Sequence, residues 1–128
     1  MCPERGDAVG LLLPYANKDT MKIHLEHISA QIPDGKHAAI ILDQASWHTT
    51  KKLHIFKNLT LIPLPAASPE LNPCEQVWRW LRQTHLSNRS FVSDEELLTA
   101  CSDAWNNFTD SPGLIKSLCS RKWATMKL

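Results

Sequence analysis

The sequence predicts an α/β fold with parallel strands, on the strength of two short apolar runs, AVGLLL at 8–13 and HAAIIL at 37–42, and the segment between them. Both runs have strand length and lack polar alternation, the pattern of strands buried on both faces. Between them Met21, Leu25, Ile28 and Ile32 recur at spacings of four, three and four, which places them on one stripe of a helix that closes before Pro33-Asp34-Gly35. Strand, crossover helix, strand is the βαβ arrangement, so the two strands are expected to be parallel and joined right-handedly.

The remaining elements follow in order. TTKKLHIF, 49–56, has the makings of a short helix, and NLTLIPLP, 58–65, of a third strand, giving a mixed sheet of at least three strands flanked by helices. In NPCEQVWRWLRQTHL, Asn72 suits an N-cap, Pro73 the first helical position and Glu75 the third, where the helix dipole favours a carboxylate. SDEE at 93–96 reads as a capping box ahead of an apolar stripe of Leu97, Leu98, Cys101, Ala104, Trp105 and Phe108. Pro112 opens a last helical stretch with Leu114, Ile115 and Leu118. One domain over residues 1–128 is expected, with no linker inside it.

Composition narrows the function classes. With 43% hydrophobic and 21% charged residues the 128-residue chain is of ordinary globular make-up. No apolar run is long enough to span a bilayer and the start is not that of a signal peptide, so a cytoplasmic, non-membrane protein is expected. Cys2, Cys74, Cys101 and Cys119 form no CxxC pair and suggest neither a disulfide framework nor a zinc knuckle. A net charge of +1 supplies no global attraction to nucleic acid, so any DNA contact needs a local patch or a metal.

The chemistry gathers around two carboxylates. IILD sets Asp43 at the carboxyl end of a strand, where ligands of α/β sheets collect. SPELNPCEQVW, beyond one further strand and a proline-stiffened loop, offers Glu70 and Glu75. Carboxylates brought together repel unless a cation lies between them, and hard oxygen donors suit Mg²⁺ or Mn²⁺.

Three stretches, LDQASWHTTKKL, LTLIPLPAASPELNPCEQVWRWLR and LSNRSF, resemble the catalytic domain of bacterial insertion-sequence transposases of the mariner superfamily, DDE transposases of ribonuclease-H-like fold. The resemblance runs through nearly the whole chain and is densest from Ala38 to Arg82. It implies that Asp43 is the second catalytic Asp and Glu75 the catalytic Glu, both metal ligands, with Glu70 a loop residue. It implies two divalent metals, Mg²⁺ or Mn²⁺, and cleavage and strand transfer of DNA at transposon ends without a covalent protein nucleophile. The family's first acidic residue lies on a strand upstream of AVGLLL, and Asp7 does not match its position. Its helix-turn-helix region is not matched either. The expectation is therefore an incomplete ribonuclease-H-like fold, a partial catalytic domain inactive by itself. The alternatives are a folded module that binds intact transposase or forms a homo-oligomer, and one half of a frameshifted pair. PAASPE departs from the Pro-Tyr that relatives commonly carry before Ser-Pro-Glu.

Accessory residues carry two readings each. His48 can donate to the metal site or the scissile phosphate, or be a structural neighbour of Trp47. Lys51, Lys52, Arg79, Arg82 and Arg89 can line a phosphate path or form a solvated face. Trp78 and Trp80, on a helix with Val77 and Leu81, read as core rather than as base-stacking residues.

Overall fold

Helix α1, Lys18–Gln31, starts where a reciprocal capping box satisfies its first amides. The Asn17 Oδ1 accepts from the Asp19 and Thr20 amides at 2.9 and 3.0 Å, and the Thr20 Oγ1 accepts from the Asn17 amide at 3.0 Å. Extended Ile32 and then Pro33 end the helix. The computed structural model describes residues 1–45, 53 and 55–124, and these divide into two compact units, Leu13–Asn72 and Met1–Leu12 with Pro73–Leu128.

The first unit holds α1 and two strands, β1 at Ala38–Leu42 and β2 at Leu59–Pro63. They pair in parallel, Ile40 opposite Leu61 and Leu42 opposite Pro63. Alternation along the strands puts Leu42 and Leu61 in a core with Leu25 and Leu53, to which Met21, Ile28, Ile40, Phe56 and Leu59 add partly buried surface. The other face of the sheet carries Ile41 and Ile62, directly opposite each other and 41% and 45% exposed. Asn58 ties the helix to the sheet. Its side-chain amide donates to the Ser29 carbonyl oxygen at 2.9 Å, the Ser29 hydroxyl donates back to its Oδ1 at 2.6 Å, and its own carbonyl accepts from the Ala38 amide at 2.9 Å.

The second unit is helical: α2 at Cys74–Leu81, α3 at Asp94–Thr109 and α4 at Pro112–Cys119. A π-helical turn over Arg82–Leu86 extends α2. Val77 and Leu81 of α2, Ala104 and Phe108 of α3, and Ile115 and Cys119 of α4 form one buried cluster, with Phe108 fully enclosed. The Trp80 ring packs against Phe108 at 5.7 Å and edge-on to His85 at 4.9 Å.

Several expectations are corrected here. Residues 8–13 form no strand, and the parallel partner of β1 is β2; the sheet is two-stranded among the described residues. A strand needs a partner with free hydrogen-bonding groups, whereas 8–13 lies against helices: Ala8 packs on the α2–α4 cluster, and Gly10 runs so close to Trp105 that a Cβ would stand 2.6 Å from its Cε2. In α3 the buried stripe is Ala100, Ala104 and Phe108, while Leu97 and Leu98 face solvent. The capping box at Ser93 is half formed: Ser93 Oγ accepts from the Glu96 amide at 3.2 Å, but the Glu96 carboxylate accepts from the Val92 amide at 2.9 Å instead of that of Ser93. Trp78 is not core; it is 56% exposed. None of the four cysteines is in a disulfide; Cys119 is buried and Cys74 exposed. The helix expected over 49–56 falls mostly outside the described residues. No helix among the described residues is long and apolar enough to cross a membrane.

Candidate active site

Asp43 follows the last residue of β1, its side chain exposed. The residue on each side of it is tied down, one by its backbone and one by its side chain. The Leu64 amide donates to the Leu42 carbonyl at 2.7 Å, carrying the ladder one step beyond β2, and the Gln44 side-chain amide donates to the Leu64 carbonyl at 2.9 Å. The carboxylate itself is oriented by a local turn, Oδ1 accepting from the Ala45 amide at 3.2 Å. A strand end braced in this way presents an oxygen donor with little freedom to swing.

The chain leaving β2 reaches α2 through a wound, stiff connection. Ala67 adopts a positive φ of 55°, and a 3₁₀ turn over Pro69–Leu71 follows, with the Leu71 and Asn72 amides bonded to the Ser68 and Pro69 carbonyls at 3.1 and 3.0 Å. Asn72 is extended and Pro73 takes helical dihedrals, φ −65° and ψ −17°. The Pro73 carbonyl then accepts from the Gln76 and Val77 amides at 3.2 and 3.3 Å. The fixed ring dihedral of Pro73 thus sets the first turn, where the missing N–H has no bond to lose. Regular helix starts at Cys74, so Glu75 lies in the first turn one place earlier than the expected third position, and it is exposed. Glu70 is an exposed residue of the 3₁₀ turn, consistent with a loop role.

Asp43 belongs to the first unit and Glu75 to the second. Among the described residues no group of three or more His, Cys, Asp or Glu side chains is placed to hold a metal ion. The donor chemistry of the two carboxylates nevertheless fits a hard divalent cation: both are exposed oxygen donors on backbone held in place.

Of the basic candidates, Arg79 and Arg82 lie exposed on α2 and at its end, and no ion pair engages either among the described residues. Arg89 lies between the π-helical turn and α3, its guanidinium 5.1 Å from the centre of the Phe91 ring. It lines an open depression with Glu95, Glu96 and Asp103, whose carboxylates offset its charge. His48, Lys51 and Lys52 lie outside the described residues. Sequence reasoning missed Gln44 and Asn58, whose roles depend on partners about twenty or more residues away.

A strand-end aspartate and a glutamate at a proline-set helix start are hard oxygen donors of the kind that metal-assisted phosphoryl transfer uses. The family profile described as DDE superfamily endonuclease matches residues 1–98, and the chain belongs to that family. An uncharacterized protein of Sinorhizobium fredii, y4pE/y4sA, is 47% identical over 124 residues, covering 97% of this chain and 92% of that protein. The Tc3 transposase of Caenorhabditis elegans is 31% identical over 85 residues, 62% of this chain but 26% of that transposase. No solved structure matches the chain. The family implies a ribonuclease-H-like fold, a transposase-related function and use of divalent metal ions.

Proposed function

We propose that this chain forms the part of a DNA transposase catalytic domain that carries two of its three acidic metal ligands, Asp43 and Glu75. The observation that carries the reading is the helix start of α2, where Pro73 and the preceding 3₁₀ turn fix Glu75 in the first turn of a helix, within the stretch that the endonuclease family covers. Mg²⁺, or Mn²⁺ in its place, supplies Lewis-acid polarisation of phosphoryl oxygens when bound. Asp43, braced through Gln44 and Ala45, and Glu75 would hold it. Arg79 and Arg82, with Lys51, Lys52 and Arg89 as further candidates, would neutralise DNA phosphates at transposon ends and target. The reaction is in-line displacement at phosphorus: water oxygen forms the new P–O bond as the 3′ oxygen leaves, and in strand transfer the freed 3′-OH attacks a target phosphodiester, whose own 3′ oxygen leaves as a hydroxyl. With two of three acidic positions the chain alone is expected not to cleave DNA.

Mn²⁺ titration followed by electron paramagnetic resonance tests the assignment. The chain should bind Mn²⁺, and Asp43→Asn and Glu75→Gln should each weaken binding by about tenfold or more, at least what loss of an outer-shell partner costs at a metal site. Equal Mn²⁺ binding by both variants and the parent sinks it. Mg²⁺-dependent cleavage of transposon-end DNA by the purified chain would overturn the inactivity and leave the ligands standing.

The sheet favours a second reading. Ile41 and Ile62 are exposed on its uncovered face, and β1 and β2 each have an outer edge without a partner strand among the described residues. Such a surface suits strand addition, by a longer transposase or by another copy of this chain. Co-purification with the longer enzyme supports this module; a monomer indifferent to it removes the reading.

A further inference from the structure

The polar face of α2 carries a tryptophan that the core does not use. At about 100° per residue, Trp78, Arg79 and Arg82 fall within an arc of about 100° around Glu75, while Val77 and Leu81 lie on the opposite side. Burial follows that division: Val77 and Leu81 are 4% and 6% exposed, Trp78 is 56% exposed, and Glu75, Arg79 and Arg82 face solvent. Arg82 keeps helical dihedrals, φ −62° and ψ −47°, so the strip continues unbroken to its guanidinium. Among the described residues the ring contacts of this unit belong to Trp80, His85, Phe91, Trp105 and Phe108, and none is to Trp78.

We propose that Trp78, with Arg79 and Arg82, is a stacking platform for an unpaired DNA base next to the phosphate that Glu75 serves, so that the site prefers single-stranded or frayed ends over closed duplex. This rests on the reading of Glu75 as part of a DNA-processing site. The chemistry of the strip selects the partner. An indole face takes any base, worth about 1–3 kcal/mol per stacked base, and guanidiniums neutralise the adjoining phosphates. A protein partner held by Trp78 would call for an apolar surround, yet its neighbours on the exposed face are two cations and a carboxylate beside the small Cys74 side chain. The spacing also fits the chemistry. Trp78 follows Glu75 by three residues, about 4.5 Å along the axis, within about 1 Å of the roughly 3.4 Å step between stacked nucleotides.

Fluorescence anisotropy with a labelled single-stranded DNA 15-mer and the corresponding duplex tests this on the full chain. Trp78→Ala should weaken single-strand binding about 5- to 150-fold, the range of one stacked base, and leave duplex binding within about twofold. Trp78→Phe should restore most of the loss. Arg82→Ala should lower the salt dependence of single-strand binding, by about 0.7 in log–log slope, whereas Trp78→Ala should leave that slope unchanged. Unchanged single-strand affinity in Trp78→Ala, or equal losses on both DNAs, overturns the platform and leaves the metal-ligand reading intact. Failure of the unsubstituted chain to bind either DNA overturns the platform together with the DNA-processing reading beneath it. Because Trp78 lies outside the core, circular dichroism of the variants should match the parent.

Discussion

Gln44 and Leu64 are joined by a side-chain to backbone hydrogen bond of 2.9 Å, between the residue that follows Asp43 and the residue that follows β2. The bond locks the exits of the two parallel strands to each other at the point where the candidate carboxylate is presented. It is partly buried, so its loss is not fully made good by water. Gln44→Ala should lower stability by about 1 kcal/mol in urea unfolding, with the midpoint reduced and the slope unchanged. Gln44→Glu should be worse, because it sets a carboxylate against a carbonyl oxygen with no donor between them. A Gln44→Ala variant as stable as the parent would show that the Leu64–Leu42 bond alone secures this corner.

Ala67 gives the proline-framed loop a point of strain. Its φ of 55° is left-handed, a region in which a Cβ costs about 1–2 kcal/mol. Glycine removes that cost but loses about 0.5–1 kcal/mol of chain entropy on folding. Ala67→Gly should therefore be neutral to about 1.5 kcal/mol stabilising, and Ala67→Val destabilising, as read from thermal midpoints. A stabilising valine would mean that the loop relaxes out of the left-handed region.

How far the sequence foretells the structure depends on how far away the partners of each segment lie. Helix α1 and its cap are written locally, Asn17, Thr20 and Pro33 being sufficient signals, and the start of α2 is legible to within one residue from Asn72-Pro73. The strand character of 38–42 and 59–63 is equally local. What pairs with them is not: the apolarity of 8–13 predicts a buried strand, whereas its residues are half-buried or exposed, Leu12 at 51%, and the closeness of Gly10 to Trp105 shows that the segment runs along a helix. The same limit produced the errors at Trp78, Leu97 and Leu98, which are apolar residues on helices whose buried stripes lie elsewhere. At the candidate site, Asp43 and Glu75 stand out through residue type and context, whereas Gln44 is identified only by the carbonyl it meets.

Gly10 is the clearest steric test of the helical unit. A Cβ there would come within 2.6, 2.8 and 3.0 Å of three atoms of the Trp105 ring, inside any real contact distance. Trp105 in turn packs on Phe108 at 5.6 Å, so the ring cannot yield without disturbing the core. Gly10→Ala should destabilise by about 1–3 kcal/mol, as overpacking does, and Phe108→Ala by about 3–5 kcal/mol. Near-neutral behaviour of Gly10→Ala in chemical unfolding would mean that residues 8–13 detach from α3 at little cost.

His24 gives the first unit a pH dependence whose sign is fixed by its surroundings. It lies half-buried on α1, and burial, with the like charge of His27, holds its pKa below the ordinary 6.5. The folded chain therefore takes up this proton less readily than the unfolded chain. Above about pH 6.5 both states leave it neutral and the contribution to stability is full. As the pH falls through 6.5 the unfolded state is protonated first, and stability declines until the folded value is passed. Urea midpoints should fall between neutral pH and about pH 5, and His24→Gln, which cannot take up the proton, should flatten that part of the curve. An acid dependence that is the same in His24→Gln would assign it to the carboxylates instead.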